Sequence, residues 1–272
     1  NHYPPRELGD YANYVYQTVA RYKDRVHYWE IWNEPNLNGF FRPTASPEAY
    51  YELLRAGYLA AKRADPSAKV VMAGLSGTGA AYMQELLNLG AAEYTDALVI
   101  HPYQAGDPDT SSSFVNDLLG TRQKAPDKDL WITEWGWQTK EHDLKKQAVY
   151  TAKGYVLALA AGVENIALYS FNQATDTEYG LVNASVGGMV KPVYAAVNAL
   201  NGALAGREYV GDVALAENVK AYVFAKSGEL PMLAVWSAAG QTIEISSPSE
   251  AVLYDMYGNG QAVQPMGGKI SL

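Results

Sequence analysis

The order of apolar and polar residues predicts alternating helices and strands from the start of the chain to about residue 205. Apolar side chains recur at three- and four-residue steps between Leu8 and Tyr22, which is the spacing of an amphipathic helix. Near-continuous apolar runs of strand length alternate with further helical segments. The predicted strands are 26–33, 69–73, 98–101, 129–135 and 165–170, and the later helices are 47–64, 80–89, 112–124, 141–161 and 192–204.

The pattern changes after Gly206. Short runs with strand character follow at 218–225, 230–237, 241–246 and 251–256, separated by turn pairs such as Ser227-Gly228. Apolar strands joined by helices are typical of a parallel sheet that is covered on both faces. We therefore expect an α/β domain over residues 1–206 and a small, all-β, sandwich-like domain over residues 207–272.

Composition and charge exclude several classes of protein. The formal net charge of −8 disfavours nucleic acid and anionic membranes as partners. No apolar stretch approaches the roughly 20 residues of a membrane span. Cysteine is absent and the four histidines lack metal-ligand spacing, so no metal and no cofactor is expected. The lack of cysteine does not decide the location, although an extracellular or periplasmic one is slightly favoured.

Two aromatic-rich runs of strand length each end on a glutamate. One is Trp29-Glu30-Ile31-Trp32-Asn33-Glu34-Pro35-Asn36, and the other, about 100 residues later, is Leu130-Trp131-Ile132-Thr133-Glu134-Trp135. An ionised carboxylate at the end of a buried strand costs free energy unless it is paired or hydrogen-bonded, and it is otherwise retained for a catalytic role. An isolated Asn-Glu-Pro motif would favour a structural role for its glutamate, as a cap or in an ion pair. Two such strand ends indicate the paired carboxylates of glycoside hydrolysis.

The segment from Ile31 to Asn36 resembles the acid/base strand of clan A glycoside hydrolases, most closely family 39 with its β-xylosidases and α-L-iduronidases. In that clan this is the fourth strand of a (β/α)8 TIM barrel, and the second glutamate ends the seventh. The resemblance implies a retaining enzyme that cleaves O-glycosidic bonds of a poly- or oligosaccharide. Glu34 would be the general acid/base and Glu134 the nucleophile, while Asn33 is suited to donate to the sugar 2-hydroxyl.

Other strand ends supply further candidates for sugar binding. Ile100-His101-Pro102-Tyr103 is similar to the sixth-strand motif of the clan, although His101 could equally be a hydrogen-bonded strand-end histidine. One of Trp135 and Trp137 is expected to stack on a sugar, and the other could belong to the core. The loop after the last strand adds rim candidates, which are Phe171, Asn172, Glu178 and Tyr179.

The chain departs from the clan in its strand count. Five strands followed by helices correspond to strands four to eight, with none available for strands one to three. We therefore expect an additional N-terminal segment of about 100 residues, or a complementary chain, to complete the barrel. The alternative function is a non-catalytic carbohydrate-binding protein, or an inactive barrel fragment that needs such a complement.

Overall fold

A computed structural model describes residues 2–139, 143–173, 178–183 and 187–272. The described helices are α1 (Leu8–Tyr22), α2 (Pro47–Ala64), α3 (Ala80–Asn88), α4 (Ser112–Arg122), α5 (Leu144–Ala160) and α6 (Pro192–Leu204). The first strands are β1 (Tyr28–Ile31), β2 (Lys69–Met72), β3 (Leu75–Ser76), β4 (Ala97–His101), β5 (Asp129–Ile132) and β6 (Val163–Ile166). The later strands are β7 (Val182–Asn183), β8 (Met189–Val190), β9 (Glu208–Asp212), β10 (Val219–Ala225), β11 (Met232–Ser237), β12 (Glu244–Ser246), β13 (Ala251–Tyr254), β14 (Gly260–Val263) and β15 (Lys269–Ser271).

The chain divides into two compact units. The first comprises the residues up to Ala105 together with Ser111–Trp135 and Val163–Tyr169. The second comprises Gly106–Thr110, Gly136–Gly162 and Ser170–Leu272. Strands β1 to β6 therefore belong to the first unit, and strands β7 to β15 belong to the second.

Every strand pair in the described part of the first unit is parallel. Strand β1 pairs with β2, so that Ile31 lies opposite Met72. Strands β3, β4, β5 and β6 form one sheet in chain order. Parallel pairing in chain order is the arrangement that the apolar strands and intervening helices predict. The last of these strands lies earlier than expected, at Val163–Ile166 rather than 165–170.

Helix α2 illustrates how the sequence specifies the helices beside this sheet. Ser46 caps the helix by accepting a hydrogen bond from the Ala49 amide, and Pro47 occupies the first helical position. On the buried face, the Tyr50 hydroxyl donates to the Ile31 carbonyl at 2.9 Å and accepts from the Ala73 amide at 2.6 Å. These two bonds attach the helix to the end of β1 and to the backbone between β2 and β3.

In the second unit, helices α5 and α6 share a core with antiparallel strands. Asp143 caps α5, so the described helix begins at Leu144, and Glu141, the expected first residue, lies outside the described residues. Strands β9, β10 and β11 form one antiparallel sheet. Val156 of α5, Leu204 of α6 and Phe224 of β10 pack in one apolar cluster. Because of this shared cluster, the division of the chain differs from the boundary expected at residue 206.

Two further features are membrane spans and metal sites. No helix among the described residues has the length and apolar character that a membrane span requires. Within the same residues, no group of three or more metal-ligating side chains is close enough together to hold an ion.

Candidate active site

Glu34 lies in a tight turn directly after β1. Trp32 and Glu34 both adopt positive φ angles, 79° and 44°, which non-glycine residues rarely do. The Trp32 indole donates to the Phe40 carbonyl at 2.9 Å, and the Glu34 amide donates to the Gly74 carbonyl at 3.0 Å. The surrounding contacts therefore hold an unfavourable backbone in place, as is common at functional sites.

Asn36 continues the support of this turn. Its side-chain amide donates to the Ser76 carbonyl at 3.0 Å, and its side-chain oxygen accepts from the Ser76 amide at 3.0 Å. The side chain thus pairs with β3 as a neighbouring strand would. This contact gives the last residue of the Asn-Glu-Pro-Asn motif a structural role that the sequence pattern did not assign.

His101 brings the two candidate catalytic carboxylates together. It ends β4 and is only 1% exposed. Its Nδ1 lies 3.1 Å from Glu34 Oε1 and 3.8 Å from Glu134 Oε2. Both oxygens contact the same nitrogen, so they lie within about 7 Å of each other. Two glutamates from distant parts of the sequence therefore share one small site.

The two carboxylates differ in their surroundings. The Glu34 side chain is 11% exposed, whereas the Glu134 side chain is 29% exposed. Tyr103 donates its hydroxyl to Glu134 Oε1 at 2.7 Å, and its ring packs edge-on against Tyr169. Tyr103 therefore contacts one of the two candidate catalytic carboxylates directly.

A third carboxylate, Glu30, lies behind these groups. Its Oε1 accepts from the Gly74 amide at 2.7 Å and from the Thr133 hydroxyl at 3.1 Å. Thr133 Oγ1 also lies 3.0 Å from His101 Nε2. Burial raises the pKa of Glu30, and the Gly74 hydrogen bond and the nearby His101 partly oppose that effect. Sequence reasoning missed Glu30, although a charge inside the apolar run Trp-Glu-Ile-Trp was a visible signal.

The structure corrects the expectation for the two tryptophans. Trp135 is 0% exposed and lies flat against Phe114, with ring centroids 5.6 Å apart. Trp137 is 2% exposed, and its indole donates to the Gly106 carbonyl at 3.0 Å. An indole without an accessible face cannot stack on a sugar, so both residues belong to the cores of their units.

The remaining candidates occupy different places. Asn33, beside Glu34 in the first unit, is exposed. Asn172 lies in the second unit, is exposed, and forms an isolated parallel bridge with Val182. Glu178 of that unit accepts a hydrogen bond from the Thr139 hydroxyl at 2.9 Å. The site that the structure assembles in the first unit therefore consists of Glu34, His101, Tyr103 and Glu134, joined by Glu30 and Thr133.

Comparison with known proteins identifies the family. The profile of the glycosyl hydrolase catalytic core family matches residues 11–190, which include every member of this site. The chain belongs to this family. The glycoside hydrolase resemblance inferred from the two glutamate motifs is thereby confirmed. No curated protein matches the chain.

Solved structures share the fold of this chain. A family 39 glycoside hydrolase from the gut symbiont Bacteroides cellulosilyticus WH2 superposes with a TM-score of 0.79 at 24% identity, covering 100% of this chain and 62% of that protein. A family 39 β-xylosidase from Caulobacter crescentus gives 0.62 at 23% identity, covering 91% and 55%. A family 39 enzyme from Xanthomonas axonopodis pv. citri gives 0.62 at 23% identity, covering 82% and 52%. The chain thus spans between about half and two thirds of these relatives.

Proposed function

We propose that this chain carries the catalytic glutamates of a retaining glycoside hydrolase that cleaves O-glycosidic bonds in a poly- or oligosaccharide. The observation that carries the proposal is the contact of one His101 nitrogen with both Glu34 and Glu134. Retaining enzymes hold their two carboxyl groups about 5 Å apart, and inverting enzymes hold them further apart to admit a water molecule. The shared histidine keeps one oxygen of each glutamate within about 7 Å of the other, which is compatible with the closer arrangement.

In the first half-reaction, a Glu134 oxygen forms a bond to the anomeric carbon while the bond to the leaving oxygen breaks. The electron pair of that bond stays with the leaving oxygen, which takes a proton from Glu34. The hydrogen bond from Tyr103 holds the Glu134 carboxylate in a fixed orientation for attack. Glu34 is the more enclosed of the two carboxylates.

In the second half-reaction, water attacks the anomeric carbon and Glu134 leaves. Glu34, now a carboxylate, removes one proton from the water and regains its initial state. Asn33, which is exposed beside Glu34, would donate to the sugar 2-hydroxyl. Each half-reaction thus uses the same two glutamates: Glu34 acts first as the acid and then as the base, and Glu134 acts first as the nucleophile and then as the leaving group.

We also propose that the parallel strands represent strands four to eight of a (β/α)8 barrel. Strand β1 would be the fourth strand, β2 and β3 together the fifth, and β4, β5 and β6 the sixth to eighth, while the antiparallel strands after α6 share a core with α5 and α6. The coverage of 52–62% of the family 39 structures supports this interpretation. A complete sugar site would then include polypeptide equivalent to the uncovered part of those relatives, on the same or another chain.

The proposed function can be tested with a panel of aryl β-glycosides that includes β-xylosides and β-glucosides. Proton NMR of the first product formed should show the same anomeric configuration as the substrate. The assay should compare residues 1–272 alone with the same chain plus an N-terminal barrel segment from a family 39 relative. Inverted product would refute the retaining mechanism. Sugar binding without turnover in both preparations would favour a non-catalytic carbohydrate-binding protein.

A further inference from the structure

A continuous chain of hydrogen-bonding groups connects Glu30 to Glu34. Thr133 Oγ1 lies 3.1 Å from Glu30 Oε1 and 3.0 Å from His101 Nε2. The other ring nitrogen, Nδ1, lies 3.1 Å from Glu34 Oε1. We call these four residues the Glu30 relay. It runs from a carboxylate on β1 to the carboxylate just beyond the end of the same strand.

The direction of the hydrogen bonds follows from the donors available. Glu30 Oε1 already accepts from the Gly74 amide at 2.7 Å, and it also accepts from the Thr133 hydroxyl. A hydroxyl group has a single hydrogen to donate but can still accept. Once that hydrogen points to Glu30, Thr133 Oγ1 can only accept from the imidazole. His101 must therefore carry a hydrogen on Nε2.

This arrangement determines what faces Glu34. A neutral imidazole with its hydrogen on Nε2 has a bare Nδ1, which is an acceptor. An ionised Glu34 would then place a second acceptor 3.1 Å from that nitrogen. One additional proton, on Glu34 or on Nδ1, turns this contact into a hydrogen bond. That proton, held between His101 Nδ1 and Glu34 Oε1, is available for an acid catalyst to deliver.

We propose that Glu30, acting through Thr133, places the hydrogen of His101 on Nε2 and thereby retains the catalytic proton between Nδ1 and Glu34. The inference rests on the acid/base role of Glu34 proposed above. Glu30 does not touch the reacting atoms and is a positioning residue. The retained proton moves to the leaving oxygen in the first half-reaction, and the proton that Glu34 removes from water replaces it in the second.

The electrostatic setting of Glu30 is consistent with this role. Burial raises its pKa, the nearby Glu134 acts in the same direction, and His101 acts in the opposite one. A carboxyl group that is buried beside reacting groups, although burial disfavours its charged form, is more typical of a functional site than of a stabilising ion pair. The hydrogen bond from the Gly74 amide also fixes the position of Glu30 Oε1, which accepts from the Thr133 hydroxyl.

Nitrogen NMR on the full chain with ¹⁵N-labelled histidine tests the proton position directly. The His101 signals would be assigned by their loss in His101→Gln. In the wild type we expect the hydrogen on Nε2. In Glu30→Ala, Thr133 is free to donate to Nε2, so the form with the hydrogen on Nδ1 should gain population. Glu52→Ala, which removes an exposed carboxylate from α2, should leave the signals unchanged. An unchanged tautomer in Glu30→Ala would overturn the relay.

Kinetics supply a second, independent measurement in the active preparation. Glu30→Ala should lower kcat/KM by about 10- to 100-fold for substrates with poor leaving groups, and much less for dinitrophenyl glycosides, which need no proton. Thr133→Val should reproduce the effect, and Thr133→Ser should restore most of the activity. An equal loss for both kinds of substrate would contradict the relay. A tautomer change without turnover in either preparation, the chain alone or the chain with the added barrel segment, would support the hydrogen-bond direction and refute the proposed function.

Discussion

Gly74 and His101 approach so closely that no other residue fits at position 74. A β-carbon at Gly74 would lie 2.0 Å from His101 Nε2, well inside the closest approach of two atoms. The backbone of the same glycine accepts from the Glu34 amide and donates to Glu30. Gly74 therefore lets one short stretch of backbone contact two carboxylate residues and the histidine between them.

Gly74→Ala should displace His101 and lower kcat/KM by about 100-fold or more, because misplacing a catalytic group by about 1 Å has effects of that size. Steady-state kinetics and thermal unfolding would be measured together. Gly120→Ala is the matched control, since a β-carbon at that position in α4 meets nothing within 4 Å. It should retain activity and gain about 0.5–1 kcal/mol of stability. Full activity in Gly74→Ala would contradict the role given to this contact.

Glu34→Gln and Glu134→Gln should differ in kind. Loss of the acid/base should lower kcat/KM by about 10²- to 10⁴-fold for poor leaving groups but spare activated aryl glycosides. Azide should then restore turnover as a β-glycosyl azide, because an external nucleophile can resolve the intermediate. Loss of the nucleophile should abolish turnover of every substrate. Product analysis by NMR distinguishes the two, and a β-glycosyl azide from Glu134→Gln would reverse the assigned roles.

Tyr103→Phe removes the hydroxyl that donates to Glu134 at 2.7 Å. A hydrogen bond to a charged group is worth about 1.5–3 kcal/mol, which corresponds to a decrease of about 10- to 100-fold in kcat/KM. Trapping with a 2-fluoroglycoside would show whether formation of the covalent intermediate has slowed. Tyr14→Phe on α1, an exposed tyrosine, is the control and should behave as wild type. Equal trapping rates in the two variants would exclude a role for Tyr103 in nucleophilic attack.

Trp135→Ala should act on stability, since the indole is buried and stacked on Phe114. Replacing a buried tryptophan by alanine costs about 3–5 kcal/mol. Urea unfolding would measure this loss. In buffer without urea, at a temperature where the variant is folded, its sugar affinity should stay close to that of the wild type. A selective loss of sugar binding with unchanged stability would restore the discarded role in substrate stacking.

Glu30→Gln should gain stability relative to the wild type as the pH rises above the ordinary pKa of a glutamate. The pKa of Glu30 is raised in the folded protein, so the stability contributed by this group falls as pH rises from the ordinary value of about 4.3 through the raised one. The difference between the two proteins should vanish near pH 3, where both side chains are neutral. Urea unfolding across this range checks the sign. Glu229→Gln should show the opposite trend, because a hydrogen bond from Lys226 lowers the pKa of Glu229.

The family and the central carboxylates could be predicted from the sequence because both are encoded locally. The runs that end on Glu34 and Glu134 combine strand-forming aromatic residues with a carboxylate, whose burial is costly unless it is paired or hydrogen-bonded. Parallel strands place their carboxyl ends at one edge, so two such runs predict a shared site. His101 and Tyr103 end the neighbouring strand, and they were selected because His-Pro-Tyr resembles the sixth-strand motif of the clan.

Long-range packing decided the rest. The bond between Thr133 and Glu30 joins residues 103 positions apart, and no local pattern reports such a contact. The burial of Trp135 depends on Phe114, and the grouping of α5 and α6 with antiparallel strands depends on an apolar cluster around Phe224. Alternation of apolar residues determines which faces are buried but leaves their partners open. The partners follow from which surfaces meet in three dimensions, and only the tertiary structure settles that.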